Sequence, residues 1–283
     1  MQTRSLKGKT VALTGASGGL GRALCKQILA SGGDLIVIDR NTKKQAALLE
    51  ELRAAYKESA IEGLIADMED MESVKALAEA LKARPLDFLI LNAGAYSIPR
   101  HKTALGLDNV FCINFVSPYY LARTLAPMLT PRGGRVIAAG SIAHNYAKSD
   151  PADEDFSSRE RASLVYGNAK RHLTAAFFDL AEKGESVALT HPGISFTGIT
   201  AHYPKLIFAL IRYPMKLIFM KPKKAALSIL EGLFTPTAAG EWIGPRLFGI
   251  WGKPKKRALK TIGKEEQKRL AAYAEKIYRT VSL

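Results

Sequence analysis

Residues 9–21 read KTVALTGASGGLG, and they decide the fold. Lys9 to Thr14 is a short apolar run rich in strand-forming residues. The turn Gly15-Ala16-Ser17-Gly18-Gly19-Leu20-Gly21 follows it directly, and a helical pattern runs from Arg22 to Ser31. Strand, glycine turn and helix in this order present backbone N–H groups and the positive end of a helix dipole to a pyrophosphate. Glycines alone are also what a plain tight turn needs; their place between strand and helix gives them the first meaning.

Reading outward, Asp34 to Asp39 (DLIVID) is a second buried-strand run, and Asp39 stands at its carboxyl end, 18 residues beyond Gly21. An acidic residue there accepts hydrogen bonds from an adenosine ribose and repels a 2′-phosphate, which favours NAD. The adjacent Arg40 keeps NADP as the alternative, because a guanidinium can stack on adenine or pair with that phosphate. The alternation continues with a helix over 43–57, a strand over 61–66, a helix over 71–83 and a strand over 88–91. Asp67 and Met68 leave the third strand where an adenine would lie, and Asn92-Ala93-Gly94 end the fourth with small residues that admit a cofactor closely. A helix over 108–129 carries Asn114 among Phe111, Cys112, Ile113, Phe115 and Val116, a costly burial unless its amide is bonded. A fifth strand over 134–139 leads to Ser141, a hydroxyl able to donate to a carbonyl or alkoxide oxygen. The polar residues 144–161 read as a surface excursion. A helix over 166–183 and a strand over 186–190 follow, and His191-Pro192-Gly193 lead to Thr197, a partner for a nicotinamide carboxamide or a helix N-cap. Strands alternating with amphipathic helices predict a doubly wound Rossmann fold: α/β, a mainly parallel sheet of about seven strands, one domain over 1–283.

Tyr166 and Lys170 (YGNAK) lie four residues apart, so on a helix they emerge from one face. A phenol is a poor base at neutral pH, and a nearby ammonium favours its phenolate. The same spacing also fits a solvated helix face; its companions decide.

Composition is that of a soluble globular chain: 283 residues, 47% hydrophobic and 24% charged. Cys25 and Cys112 have neither CxxC nor metal-ligand spacing and read as buried free thiols. Residues 1–10 lack the apolar core of a signal peptide, which points to a cytoplasmic setting. The formal charge of +15 is concentrated late: residues 203–283 hold 17 Lys and Arg against 5 Asp and Glu. No nucleic-acid-binding signature accompanies them. Residues 203–224 interleave Leu, Ile, Phe and Met with Lys and Arg, in apolar pieces too short to span a bilayer. A lid over an apolar substrate is the preferred reading, and an interfacial segment touching an anionic membrane is the other. Glu241-Trp242-Ile243 suggests a last strand, and residues 253–283 read as a basic tail with a terminal helix.

TGASGGLG, Asp67, NAG, Asn114, Ser141, YxxxK and PGxxxT in this order resemble the short-chain dehydrogenase/reductase family over residues 8–200. The long interval from Ser141 to Tyr166, SIAH at Ser141 and HPG at His191 are similar to its retinol-dehydrogenase-like branch. The resemblance implies a pyrophosphate turn at Gly15, Gly19 and Gly21, and a catalytic tetrad of Asn114, Ser141, Tyr166 and Lys170. In it, Tyr166 is the acid/base and Ser141 orients the substrate oxygen. Lys170 holds the nicotinamide ribose and depresses the tyrosine pKa, and Asn114 fixes a water behind the lysine. A homodimer or homotetramer is common among such chains. Gly18 and Asp39 depart from the pattern of NADP-using members, and Leu91 replaces an asparagine; the membrane anchor of retinol dehydrogenases is not seen, so retinol is not carried over as substrate. The expectation is alcohol–carbonyl interconversion on an apolar or lipid-like substrate. A non-catalytic nicotinamide-binding scaffold or sensor is the alternative, against which the complete tetrad speaks.

Overall fold

The computed structural model describes residues 4–193, 220–247 and 249–283. Thr197 and residues 203–219 of the predicted lid lie outside them.

Eight strands form one sheet in the order β3-β2-β1-β4-β5-β6-β7-β8. They are β1 (Thr10–Thr14), β2 (Asp34–Asp39), β3 (Ile61–Ile65), β4 (Phe88–Leu91), β5 (Arg135–Ala139), β6 (Val187–Thr190), β7 (Glu241–Leu247) and β8 (Trp251–Ala258). Every pairing is parallel except β7 with β8. The helices are α1 (Gly19–Ala30), α2 (Thr42–Ala55), α3 (Met71–Lys82), α4 (Asn109–Phe111), α5 (Ser117–Leu129), α6 (Ala162–Glu182), α7 (Pro222–Phe234) and α8 (Lys264–Ser282).

Side-chain alternation along the strands divides the core. Val11, Leu13, Leu35 and Val37 face one layer with Leu24, Ile28, Leu48 and Ile229 from α1, α2 and α7. Ala12, Ile36 and Ile38 face the other, with Leu77, Leu125, Phe177 and Ala274 from α3, α5, α6 and α8. Strands buried on both faces carry the near-continuous apolar runs of a parallel sheet. Sequence order reverses between β1 and β4, so their carboxyl ends open a crevice where α/β sheets collect ligands.

Three differences from the sequence reading have physical causes. The sheet has an eighth strand, β8, inside the stretch read as a basic tail; it is an antiparallel edge strand with no buried residue, so it lacks the hydrophobic signal of a core strand. The helix expected over 108–129 is interrupted by a π-helical turn at Cys112–Val116, centred on Asn114. The segment 144–161 is not simply a surface excursion: His144, Asp155 and Phe156 are buried at 0%, 7% and 3% exposure. Cys25 and Cys112 are buried free thiols. Among the described residues, no helix is long and apolar enough to cross a membrane.

Candidate active site

The glycine turn is built by close approach. Gly15 has φ +66°, and a Cβ on Gly21 would stand 2.2 Å from the Gly15 carbonyl oxygen, so α1 can start against β1 only with glycine there. Gly18 is the N-cap of α1, and no side chain caps it. Its first turn, Gly19, Leu20 and Gly21, therefore presents backbone N–H groups and a positive dipole end without a side-chain acceptor. Thr14 Oγ1 accepts from the N–H of both Asn92 and Ala93, and Asn92 Nδ2 donates to the carbonyls of Thr14 and Gly15 at 3.0 and 3.2 Å. Asn92 thus staples β4 to the turn, a structural duty that its reading as a small cofactor-admitting residue missed.

At the end of β2, Asp39 is buried at 6% exposure and accepts from Ser17, from the N–H at 3.1 Å and from the hydroxyl at 2.8 Å. Burial raises its pKa, against the Ser17 hydrogen bonds and the charges of Arg22 and Lys44. Arg40 beside it is exposed. Asp67 Oδ1 accepts from the Glu69 N–H. Met68 lies in the core at 6% exposure, and its carbonyl accepts from Ser117 Oγ at 2.6 Å.

Across the crevice, Tyr166, Lys170, Ser141 and Asn114 converge. Ser141 follows β5 and N-caps the short turn Ile142–Asn145, accepting from the Ala143 N–H at 3.2 Å. Its hydroxyl lies near enough to Tyr166 to favour the ionised phenol, and Tyr166 meets Tyr96 edge-on with ring centroids 5.4 Å apart. Gly167 brings this loop close: a Cβ there would stand 2.5 Å from the Ala143 carbonyl oxygen. Lys170 is buried at 4% exposure; Nζ donates to the Ala139 carbonyl at 2.9 Å and lies 5.7 Å from the Tyr166 ring centre. Asn114 Nδ2 donates to the carbonyls of Ala95 (2.7 Å) and Val110 (2.8 Å), which leaves Oδ1 buried without a protein partner. A Cβ on Gly94 would stand 2.8 Å from that oxygen and 3.9 Å from Lys170 Nζ. Gly94, the asparagine oxygen and the ammonium therefore enclose one small polar space. A buried orphan acceptor in such a space is a place for a water or a ligand hydroxyl.

The electrostatics differ from the expectation in one respect. Burial pushes Tyr166 up to about 12, with the nearby Ser141 hydroxyl working against it and Tyr146 and Tyr96 adding to it. Burial also brings Lys170 down to about 8. The sequence reading had the lysine depress the tyrosine pKa. Here Lys170 Nζ donates to the Ala139 carbonyl, and burial of the phenol sets the direction of its shift.

A network that the sequence did not signal holds the Ser141 loop. His144 Nδ1 lies 2.6 Å from the Ser141 carbonyl oxygen, which can only accept, so Nδ1 carries the proton and Nε2 accepts from Thr261 Oγ1 at 2.7 Å. Arg171, one residue past Lys170, donates to the carbonyls of His144 and Thr261 and grips Glu266 through Nε (2.7 Å) and an η nitrogen (2.5 Å). Burial lowers the His144 pKa and keeps it neutral, while the Arg171 hydrogen bond holds Glu266 down to about 2. The region before α8 and α8 itself thus clamp the loop bearing Ser141 to the helix bearing Tyr166 and Lys170. Pro192 and Gly193 leave β6 beside this cluster, with Gly193 at φ +83°.

The residues present fit a dinucleotide: a turn whose close backbone packing requires glycine at Gly15 and Gly21, an uncapped helix start, an acid at the end of β2 and an orphan acceptor behind the lysine.

Residues 9–150 match the family model for short chain dehydrogenases. The chain is 29% identical to retinol dehydrogenase 12 of Mus musculus over 69% of its own length, and it spans 64% of that protein. It is 30% identical to retinol dehydrogenase 14 of Homo sapiens, covering 86% of this chain and 79% of that one. Among solved structures, an uncharacterized protein from Mycobacterium paratuberculosis superposes with a TM-score of 0.77 at 24% identity, over 97% of this chain and 95% of that one. A short-chain dehydrogenase from Sphingobium yanoikuyae, solved with NADPH, superposes with 0.61 at 23% identity, over 79% and 84%. At these identities the structures show a shared fold.

Proposed function

The chain belongs to the short-chain dehydrogenase family, in its retinol-dehydrogenase-like branch, and on that premise we propose that it is an oxidoreductase interconverting an alcohol and a carbonyl with a nicotinamide dinucleotide. The observation that carries this reading is the convergence of Ser141 and Tyr166 with buried Lys170 and the orphan oxygen of Asn114, at the sheet edge that holds the glycine turn.

The nicotinamide, when bound, supplies or takes up the hydride. The rest is done by this chain's residues. The first turn of α1 and the glycines before it bind the pyrophosphate, and Asp39 accepts from the adenosine ribose. Ser141 donates to the substrate oxygen and orients it. Tyr166 gives a proton to that oxygen when a carbonyl is reduced and takes one when an alcohol is oxidised. With its pKa near 12 the phenol is protonated at neutral pH, so the protein is ready as an acid. A water donating to Asn114 Oδ1 would exchange the proton with Lys170 and pass it to or from solvent.

NAD is the favoured cofactor, on the charge of Asp39 at the ribose position. The substrate is apolar, a reading supported by Tyr96 and Tyr146 around the phenol and by the apolar composition of residues 203–224. Reduced-nicotinamide absorbance, followed with NAD and NADP over primary and secondary alcohols of rising chain length, tests the proposal. Turnover increasing with apolar length supports it. Demonstrated nicotinamide binding with no turnover on any alcohol or carbonyl would leave the scaffold reading instead.

A further inference from the structure

The turn joining β7 to β8 has the sequence LFGIW (247–251), the reverse of the polar composition that a solvent-facing hairpin loop carries. Leu247 and Trp251 pair across the hairpin. They are 54% and 37% exposed, and among the described residues only three other large apolar side chains, Ile65, Tyr146 and Leu283, are counted as exposed. Arg246, Lys253 and Lys255 flank the turn and are exposed, and among the described residues no carboxylate pairs with any of them. Lys256, further along β8, is different: it pairs with Glu241 at 3.1 Å. Lysines on an edge strand are a known protection against sheet-to-sheet aggregation, which accounts for the charges on β8. It does not account for an apolar tip between them. A tryptophan and a leucine at the strand ends of this hairpin, flanked by cations without a carboxylate partner among the described residues, match the chemistry of a bilayer interface, with aromatic rings at headgroup depth and cations on lipid phosphates.

We propose that the β7–β8 hairpin docks on an anionic lipid surface, with Leu247 and Trp251 entering the headgroup layer and Arg246, Lys253 and Lys255 bound to lipid phosphates. The tip is beside the catalytic loop: a Cβ on Gly249 would stand 3.7 Å from Cγ2 of Ile142, the neighbour of Ser141. Docking therefore sets the mouth of the site at the membrane, where an apolar alcohol or carbonyl resides. That consequence for the substrate rests on the proposed reaction; the docking itself does not, and it is measured without turnover.

The chain has two tryptophans, and Trp242 is buried at 5% exposure, stacked on His191 with centroids 5.0 Å apart, so it reports as an internal constant. The full-length protein is mixed with phosphatidylcholine vesicles, with and without phosphatidylserine, at low and high salt. Binding to the anionic vesicles alone is expected, weakened by salt. A blue-shifted emission, quenched by brominated acyl chains and missing in Trp251→Phe, places the tip in the bilayer. Arg246→Glu/Lys253→Glu/Lys255→Glu should lower vesicle affinity at least tenfold while its melting temperature and nicotinamide binding stay as in the parent. The proposal is overturned if the parent does not bind anionic vesicles, if the triple variant binds as the parent does, or if brominated lipid leaves Trp251 unquenched. It is equally overturned if the Trp251 shift follows protein concentration without lipid, which assigns the tip to a second copy of the chain.

Discussion

Replacing Glu266 by Gln removes one charge from the clamp behind Ser141, and two lines of reasoning give its cost. Arg171 is 5% exposed, and Glu266 is its only carboxylate partner among the described residues. Stripping the partner from a buried ion pair costs about 3–5 kcal/mol, less here because glutamine keeps one acceptor and the glutamate side chain is 22% exposed. The Arg171 hydrogen bond holds the Glu266 carboxyl down to about 2 from its ordinary 4.5, which corresponds to about 3 kcal/mol at neutral pH. A loss of about 3 kcal/mol lowers the melting temperature of a domain of this size by about 5 °C. The folded pKa is depressed, so this stabilisation is complete above pH 4.5 and is lost as pH falls through 2. The gap between parent and Glu266→Gln should therefore hold from pH 7 to 5 and close below it. Because His144 and the Ser141 carbonyl hang on the same arginine, kcat should fall while nicotinamide affinity stays. Scanning calorimetry across pH with steady-state kinetics reads both. An unchanged melting temperature, or a gap that persists at the lowest pH, refutes the clamp.

Gly21→Ala forces a methyl against the Gly15 carbonyl at 2.2 Å; it should cost about 1–3 kcal/mol of stability and abolish nicotinamide binding measured by calorimetry. Asp39→Asn keeps an acceptor for Ser17 but removes the charge at the ribose position. It should raise kcat/KM for NADP over NAD by about tenfold, equivalent to about 1.4 kcal/mol; an unchanged ratio would make Arg40 the deciding residue. With Tyr166 near 12, alcohol oxidation should climb steadily as pH rises above neutrality, while carbonyl reduction stays flat through pH 7. A pH–rate profile in both directions checks this, and an oxidation rate that levels off below pH 7 contradicts it.

Much of the architecture was legible because its signals are local. Runs such as DLIVID and KTVALT are buried on both faces, and the glycine spacing is fixed by the approach of α1 to β1. Of the four candidate catalytic residues, Ser141 follows a strand, Tyr166 and Lys170 share a helix face and Asn114 lies in a buried helix, and the structure places them on one side of the crevice. What escaped notice acts across sequence distance or against composition. The His144–Thr261 and Arg171–Glu266 contacts join residues 117 and 95 positions apart, and no local pattern announces them. β8 has no buried residue and is basic, with Pro254 in it, so it reads as a tail until β7 supplies its partner. The pKa of Tyr166 depends on how much water its neighbours exclude, which the YxxxK spacing does not encode. Asn114 was half legible: its burial among apolar residues was readable, but the division of its amide, with the nitrogen bonded and the oxygen orphaned, needed the π-helical turn.

The most direct test of the account is Tyr166→Phe, assayed for turnover by nicotinamide absorbance and for nicotinamide binding by fluorescence. Phenylalanine preserves the ring contact with Tyr96 and removes only the hydroxyl. The account predicts binding close to that of the parent and turnover reduced by a factor on the order of 1,000 or more. Turnover within a few-fold of the parent, with binding intact, would contradict it.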